Sequence, residues 1–179
     1  MSITLNGTET TVADALAAGT GKLVITGETI NTALNGADLV YDIDESEISN
    51  VATTVAPLTV NTAGNIISGS TFSNNINNGG HGGAIYVNST AEGIDLTITG
   101  SLFDGNSTKI SNPGKNDWYH AGAMYISAGE VRISGSTFSN NEGADGGAIY
   151  VNSGSTLYLS NVIFDSNTAR TSAAQTSAQ

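Results

Sequence analysis

The sequence predicts an all-β fold of stacked, repeating coils, a β-solenoid, and this prediction depends on an internal repeat and on the composition. The copies are ISGSTFSNN at 67–75 and 133–141, GGAIYVNS at 82–89 and 146–153, and looser versions at 96–106, 121–127 and 157–167. Internal repeats of this kind are typical of stacked repeat architectures. The unequal spacing of the copies favours β-coils with loops of variable length over a helical solenoid.

The composition indicates a folded chain that turns tightly and often. The chain of 179 residues contains 22 Gly and 2 Pro, and its charged fraction is 12%. Its hydrophobic fraction of 39% is sufficient to form one small hydrophobic core. A disordered chain would carry more charge and fewer Ile, Val and Leu. We therefore predict one folded domain.

The first strand of each coil has apolar residues that alternate with polar ones. This alternation is the period of a strand with one buried face, so the apolar members should stack inward. They are Leu96 and Ile98, Val131 and Ile133, and Leu157 and Leu159.

A corner is predicted where each of these strands ends, because the next position carries Gly or Asn, the residue types that accept positive φ. The corner residues are Gly69, Gly100, Gly135 and Asn161. The Phe three residues later can then turn into the core. These phenylalanines are Phe72, Phe103, Phe138 and Phe164.

An Asn follows each Phe by three residues, and the four form a column of Asn75, Asn106, Asn141 and Asn167. Stacked side-chain amides can hydrogen-bond from one strand to the next, as Asn ladders do in cross-β structures. We predict an internal ladder at this column.

The second strand of each coil begins at a corner of small residues. These corners are Gly82-Gly83-Ala84, Ala121-Gly122-Ala123 and Gly146-Gly147-Ala148. Beyond each corner, aliphatic residues alternate with a tyrosine. If the aliphatic residues point inward, Tyr86, Tyr125 and Tyr150 should form a column on the outer face.

The combination of GGA plus an aliphatic residue with Phe-x-x-Asn resembles the paired repeat of the chlamydial polymorphic outer membrane proteins (Pmp) and related autotransporter passengers. Over residues 65–169, three GGA-type corners alternate with four Phe-x-x-Asn segments, and Ala121 departs from the pattern by replacing the first Gly. The resemblance implies a right-handed parallel β-helix that is displayed at a bacterial surface, is used in adhesion and has no catalytic residues.

The residues before 65 fit the start of such a solenoid. Thr11 to Asp14 match a helix capping box, and Gly19 is a helix stop. A short helix there would cover the open end and its strand edge. Early coil strands are predicted at 22–27, 37–43 and 57–61. The predicted organisation is one domain at 1–169, with an N-terminal cap at 1–21, early coils at 22–64, repeat coils at 65–169, and a tail or linker at 170–179.

The net charge of −11 argues against nucleic acid or an anionic bilayer as the main partner. The chain has no Cys, which excludes disulfides and thiolate metal sites. Its first residues lack the features of a signal peptide, and no apolar run is long enough to span a bilayer. We expect an extracellular or cell-surface location, with no membrane insertion by this chain.

Many parallel β-helices act on polysaccharides, and such enzymes need clustered carboxylates. The acidic run at 38–47 has no basic residue nearby and lacks the spacing of a calcium loop, so we interpret it as a solvated edge, with calcium binding as the alternative. His81 and His120 precede small-residue corners with no acidic residue beside either, which indicates turn roles. No catalytic, cofactor-binding or metal-binding residue is predicted.

The loop at 107–120 concentrates rare residue types: Lys109, Lys115 and the single Trp, Trp118. Trp buries a large area on binding, so this loop is a candidate recognition element. The alternative is that Trp118 packs over the coil edge. The tyrosine column also has two interpretations: ring stacking within the sheet, or an aromatic stripe covered by another chain or a glycan.

The leading hypothesis is a non-enzymatic, adhesin-like segment that presents this loop on a rigid scaffold to a host-surface protein or glycan. A subunit that assembles head to tail is the alternative, because the C-terminal coil carries no evident cap. A glycan-active enzyme is a second alternative.

Overall fold

The computed structural model describes residues 1–108 and 119–170, and this part of the chain is nearly all β with one short helix. The helix, α1, spans Val12–Ala18. The strands in chain order are β1 (Ser2–Leu5), β2 (Thr8–Glu9), β3 (Thr20–Thr26), β4 (Thr29–Ile30), β5 (Asp38–Asp44), β6 (Glu47–Ser49), β7 (Ala52–Thr53), β8 (Leu58–Val60), β9 (Asn65–Ser68), β10 (Thr71–Ser73), β11 (Ile76–Asn77), β12 (Ile85–Asn88), β13 (Leu96–Thr99), β14 (Leu102–Asp104), β15 (Ser107–Thr108), β16 (Met124–Ala128), β17 (Glu130–Ser134), β18 (Thr137–Ser139), β19 (Glu142–Gly143), β20 (Ile149–Val151), β21 (Thr156–Ser160), β22 (Ile163–Asp165) and β23 (Thr168–Ala169).

These strands form four sheets in the described residues, and each sheet runs along the stack of coils. The strand orders are β2-β1-β3-β5-β9-β13-β17-β21, β22-β18-β14-β10-β6-β4, β23-β19-β15-β11-β7 and β20-β16-β12-β8. Every pairing that does not involve β1 is parallel. The chain visits the sheets in turn, so each coil adds strands to the ends of the sheets. This is the arrangement expected of a β-solenoid.

Each repeat coil is named here by its phenylalanine. The Phe72 coil contains β9 to β12, the Phe103 coil β13 to β16, the Phe138 coil β17 to β20, and the Phe164 coil β21 to β23. The four phenylalanines pair directly from one coil to the next, and their rings stack with centroids 5.0, 4.5 and 5.4 Å apart. The alignment of the repeats on Phe is therefore confirmed.

The N-terminal end is closed by the predicted helix and by a strand that no sequence pattern predicted. The side chain of Thr11 accepts a hydrogen bond from the main-chain N–H of Asp14 at 3.1 Å, and Gly19 ends α1 in the left-handed conformation. Ala15 faces the core and is fully buried. In addition, β1 pairs antiparallel with β3 and so covers the first edge of the eight-stranded sheet. The cap therefore combines the helix with a strand.

The inward-facing strand residues pack as predicted in the inner coils. Leu96, Ile98 and Val131 have no exposed surface, and the core continues through Ile85 and Val87 of β12. The Phe164 coil is different, because Leu159 and Phe164 are each 47% exposed. No following coil lies against them in the described residues.

The predicted left-handed corners are present. The φ angles of Gly69, Gly100, Gly135 and Asn161 are 53°, 55°, 56° and 52°. At the GGA corners the small residue is required by close approach, since a Cβ on Gly83 would collide with the carbonyl oxygen of Gly122. Ala121, the departure from the motif, stands at φ 66° where Gly82 stands at φ 74°.

The Asn ladder is also confirmed. Side-chain Nδ2 donates to the Oδ1 of the next Asn between Asn75 and Asn106 at 2.9 Å, between Asn106 and Asn141 at 3.0 Å, and between Asn141 and Asn167 at 2.8 Å. The other Nδ2 hydrogen donates to a main-chain carbonyl of an earlier coil, as from Asn106 to Phe72 at 2.9 Å. Both hydrogens of each inner amide are thus used, which satisfies polar groups that are fully buried.

Candidate functional site

The candidate recognition loop at 107–120 lies partly outside the described residues. Lys109, Lys115 and Trp118 all fall in the stretch from 109 to 118, so the prediction that they bind a partner stays a prediction. The two ends of the loop are described.

The ends of the loop are tied to each other and to neighbouring coils. The hydroxyl of Thr108 donates to the carbonyl oxygen of Tyr119 at 2.9 Å, and the main-chain N–H of Ala144 donates to the same oxygen at 3.1 Å. Arg170 donates from Nη2 to the carbonyl of Thr108 at 2.5 Å, and its Nε lies 2.6 Å from a carboxylate oxygen of Glu142. Two later coils thus hold the base of the loop in place.

The predicted tyrosine column is confirmed as a stack. The rings of Tyr86 and Tyr125 lie 5.5 Å apart with an interplanar angle of 6°, and those of Tyr125 and Tyr150 lie 5.4 Å apart at 17°. The expectation of an open outer stripe needs correction, because Tyr125 is only 7% exposed. Burial raises the pKa of Tyr125, and the neighbouring tyrosines add to this effect. The column presents ring edges, since the faces of Tyr125 are covered by stacked rings.

This stacking limits what the column can bind. Carbohydrate recognition by aromatic residues uses the flat ring face, which carries the negative quadrupole. Adjacent strands of a sheet are about 4.8 Å apart, a spacing that leaves no room for a sugar ring between stacked tyrosines. Of the two interpretations, ring stacking within the sheet accounts for the observed geometry of Tyr125.

Two histidines extend the aromatic stack towards the loop. The ring of His81 stacks on His120 at 4.8 Å and on Tyr125 at 4.5 Å, and His120 stacks on Tyr150 at 4.4 Å. The main-chain N–H of His120 donates to Nδ1 of His81 at 3.1 Å, so this nitrogen acts as an acceptor. Both residues are half-buried, and His81 is not the exposed turn residue that the sequence indicated.

The expectation that no acidic residue lies beside either histidine was wrong. Nδ1 of His120 contacts a carboxylate oxygen of Asp145. A signal for this contact exists in the sequence, because His81, His120 and Asp145 each stand directly before a small-residue corner. Burial lowers the pKa of His81, and the charge of His120 lowers it further. The contacts orient both imidazoles at the base of the loop.

The acidic run at 38–47 also has a basic neighbour that sequence reading missed. Nζ of Lys22 lies 2.7 Å from a carboxylate oxygen of Asp42, because β3 and β5 pair in parallel and bring Lys22 next to Val40 and Asp42.

Across residues 1–108 and 119–170, no group of three or more His, Asp or Glu is placed to hold a metal ion. The same residues contain no helix long and apolar enough to cross a membrane.

Comparisons with known proteins relate these coils to a bacterial repeat. The family model of the Chlamydia polymorphic membrane protein repeat matches residues 135–152, which run from Gly135 through Phe138 and Asn141 to the residue after β20. The chain is also 38% identical over 107 residues to the probable autotransporter YfaL of Escherichia coli strain K12. The Phe138 coil is therefore similar to a Pmp-type repeat. The Pmp-type repeat matched by the family model spans the Phe138 coil from its corner to β20.

The alignment with YfaL covers 56% of this chain and 8% of the length of YfaL, so the chain corresponds to a small part of that relative. No solved structure matches the chain significantly. The Phe, Asn and Gly positions of the matched segment recur in the Phe72 coil, and they recur in the Phe103 coil with Ala121 in place of the first Gly of the corner.

Proposed function

We propose that this chain is a rigid segment of a passenger domain at a bacterial cell surface, and that it acts in adhesion by presenting the loop at 107–120. Similarity to an autotransporter and to an outer-membrane repeat supports the location. The continuous ladders of Phe and Asn support the role of a stiff scaffold, since the Phe103 and Phe138 coils are each hydrogen-bonded to the coils on both sides.

The fold that accompanies this role is a right-handed parallel β-helix. Parallel strands of one sheet that are joined by a crossover connection are right-handed in about 98% of cases, because the strand twist favours that hand. Every strand of the repeat coils pairs in parallel with its counterpart in the neighbouring coil. A crystal structure would test the hand, and small-angle scattering would test the dimensions.

The observation that carries the proposal is the fixed base of the loop. A loop binds with less loss of entropy when its ends are held by a rigid support, and Thr108 and Tyr119 are held by each other and by Ala144 and Arg170. The proposed role of the loop is binding, and we assign no chemical reaction to the chain. Host-surface proteins and glycans are the proposed partners.

The test is binding of the purified chain to epithelial cells and to a glycan array. In the variant, residues 109–117 are replaced by a short Gly-Ser linker and Trp118 is changed to Ala, while Thr108 and Tyr119 are kept. Loss of an aromatic anchor should weaken binding by about 2 kcal/mol, or roughly thirtyfold in Kd. Tyr158→Ala is the matched control, because Tyr158 is an exposed aromatic residue on β21 and is not part of the loop.

Full binding by the loop variant would contradict the assignment of the loop and would move the site to the edges of the tyrosine column. If the parent chain binds nothing and instead forms filaments that lengthen with protein concentration, the structural-subunit alternative would replace the adhesion proposal.

A further inference from the structure

The side chain of His81 holds the main chain of the next coil. Nδ1 of His81 accepts the main-chain N–H of His120 at 3.1 Å, and the N–H of Gly82 donates to the carbonyl oxygen of His120 at 3.0 Å. The neighbouring contact, from the N–H of Gly83 to the carbonyl of Ala121 at 3.2 Å, joins main chain to main chain. An imidazole nitrogen therefore takes the place of a main-chain carbonyl in the hydrogen bonds between coils at this corner.

The position of His81 is fixed by its own coil. Nδ2 of Asn77, a buried residue of β11, donates to the carbonyl oxygens of His81 at 3.0 Å and of Gly82 at 3.2 Å. The Phe72 coil thus holds His81 in place, so a chemical change at Nδ1 acts on the main chain of His120.

A proton at Nδ1 reverses the role of this nitrogen. A neutral imidazole has one nitrogen that accepts a hydrogen bond and one that donates, whereas both nitrogens of an imidazolium donate. Because Nδ1 of His81 accepts, the neutral ring carries its hydrogen on Nε2. Protonation would set two N–H groups against each other, and the main-chain N–H of His120 would lose its acceptor. An unpaired donor in a half-buried position is costly, so the contact should break.

The groups around His81 do not compensate the charge that protonation adds. The rings of His120 and Tyr125 stack on it at 4.8 and 4.5 Å, and Tyr119 meets it edge to face at 6.1 Å. The carboxylate of this cluster, Asp145, contacts Nδ1 of His120, and no carboxylate of the described residues forms an ion pair with His81. Burial lowers the pKa of His81 below its ordinary value of 6.5, and the charge of His120 lowers it further.

The same corner holds one end of the recognition loop. The carbonyl oxygen of Tyr119 accepts from the hydroxyl of Thr108 at 2.9 Å and from the main-chain N–H of Ala144 at 3.1 Å. The hydrogen bond from His120 to His81 is a further tie on this end. Of these ties, the one to His81 includes a group that titrates near neutral pH.

We propose that His81 is an acid-sensitive latch: at neutral pH its imidazole holds the main chain of His120, and protonation of Nδ1 in acid releases the chain at Tyr119 and His120. The latch does not depend on any partner. Its effect on binding rests on the proposed function of the loop, since a loop with one end released loses more entropy when it binds. A partner held through the loop would then bind more weakly in acid.

Hydrogen exchange detected by NMR measures this release on the full chain at a single amide. The readout is the protection factor, which compares the exchange rate of the amide with that of an unfolded peptide at the same pH. The protection factor of the His120 N–H should fall at least about tenfold between about pH 7.5 and pH 5, as expected for the loss of one hydrogen bond. The N–H of Asn106 is the control, because it donates at 3.0 Å to Oδ1 of Asn141, an amide oxygen that does not titrate in this range.

His81→Asn is the matched variant. Oδ1 of asparagine, like Nδ1 of histidine, is bonded to Cγ, so it can accept from the N–H of His120 at every pH in the series. We expect the protection factor of His120 to stay constant in this variant. In the parent chain, the nitrogen chemical shifts of the His81 ring should show the Nε2–H tautomer at neutral pH. The loss of protection at His120 should then follow the titration midpoint of that ring.

The proposal is overturned if the protection factor of His120 is the same at both ends of the pH series, or if it falls equally in the parent and in His81→Asn. An equal fall at His120 and Asn106 would also overturn it, because the whole stack would then loosen. So would an Nδ1–H tautomer of His81 at neutral pH. None of these measurements uses a partner, so failure of the loop to bind cells or glycans would be distinguished from failure of the latch.

Discussion

The side-chain amide of Asn106 donates to the side-chain oxygen of Asn141 at 3.0 Å, and neither residue has exposed surface. Asn106 also accepts from Asn75 and donates to the carbonyl of Phe72, so one side chain joins three successive coils. Its contribution to stability therefore differs from that of an asparagine on the outer face.

Asn106→Ala should lower the free energy of unfolding by about 1–3 kcal/mol, because it leaves the amide of Asn75 and the main-chain carbonyl of Phe72 without partners in the core. Asn88→Ala on the exposed surface should cost less than about 0.5 kcal/mol. Urea denaturation followed by circular dichroism measures both. Equal costs would show that the ladder adds nothing beyond the packing of each coil.

Gly135→Val should destabilise by about 1–2 kcal/mol through backbone strain at φ 56°. A Cβ at this position would find space, since the nearest heavy atom outside the adjacent residues is the main-chain nitrogen of Gly100 at 3.9 Å, so the Cβ adds strain without a collision of its own. Thr99→Val, in the exposed part of β13, is the control and should change stability little. The same denaturation midpoint for Gly135→Val and the parent would contradict the strain argument.

The pH dependence of stability should report the buried environment of His81. Its pKa lies below the ordinary value of 6.5, so below that pH the unfolded chain binds the proton more readily than the folded chain. Stability should therefore fall as the pH drops from about 6.5 through the folded pKa, and it should level off below it. The loss should be smaller in His81→Asn, as measured by Tm between about pH 7.5 and pH 5. Identical pH profiles would assign the loss to other groups.

The pKa of Asp104 should rise towards its ordinary value in Ser139→Ala, because the first hydrogen bond that stabilises the carboxylate is removed. With the folded pKa lowered, this carboxylate stabilises the fold above about pH 4, and the contribution is lost as the pH falls through the folded pKa. Side-chain carbon NMR measures the titration directly. Ser73→Ala, in the same column one coil before Asp104, should leave the Asp104 titration unchanged.

The columns of the repeat could be predicted from the sequence because each one depends on a short local pattern. Alternation placed Leu96 and Ile98 inward, and the residue type at Gly135 indicated its backbone conformation. Once the phenylalanines are aligned, the stacking of Asn106 on Asn141 follows directly, since parallel coils place equal positions over each other.

Other features were not predicted from the sequence. They depend either on contacts between different coils or on segments that are not repeated in the chain. The pairing of β1 with β3 involves a strand that has no copy elsewhere. The contact of His120 with Asp145 links different residue types in one column, so it emerges only when the residues before each small-residue corner are aligned, and a search for neighbours along the chain passes over it. The Tyr125 ring was expected at the surface because the alternation of residues shows which face of the sheet a side chain lies on. The alternation does not show that the His81 ring covers that face.

The hydrogen bond from Thr108 to Tyr119 joins the two ends of the intervening segment. The length of that segment should have little effect on the stability of the stacked coils. The coils keep their strand pairing on either side of this junction, while each doubling of an inserted loop should cost only about 0.6 kcal/mol. The junction is therefore a natural graft point: a foreign epitope or an affinity tag spliced between these two residues should leave the host protein folded. If the proposed binding by this stretch is correct, variation confined to it would change the bound partner and leave the scaffold unchanged.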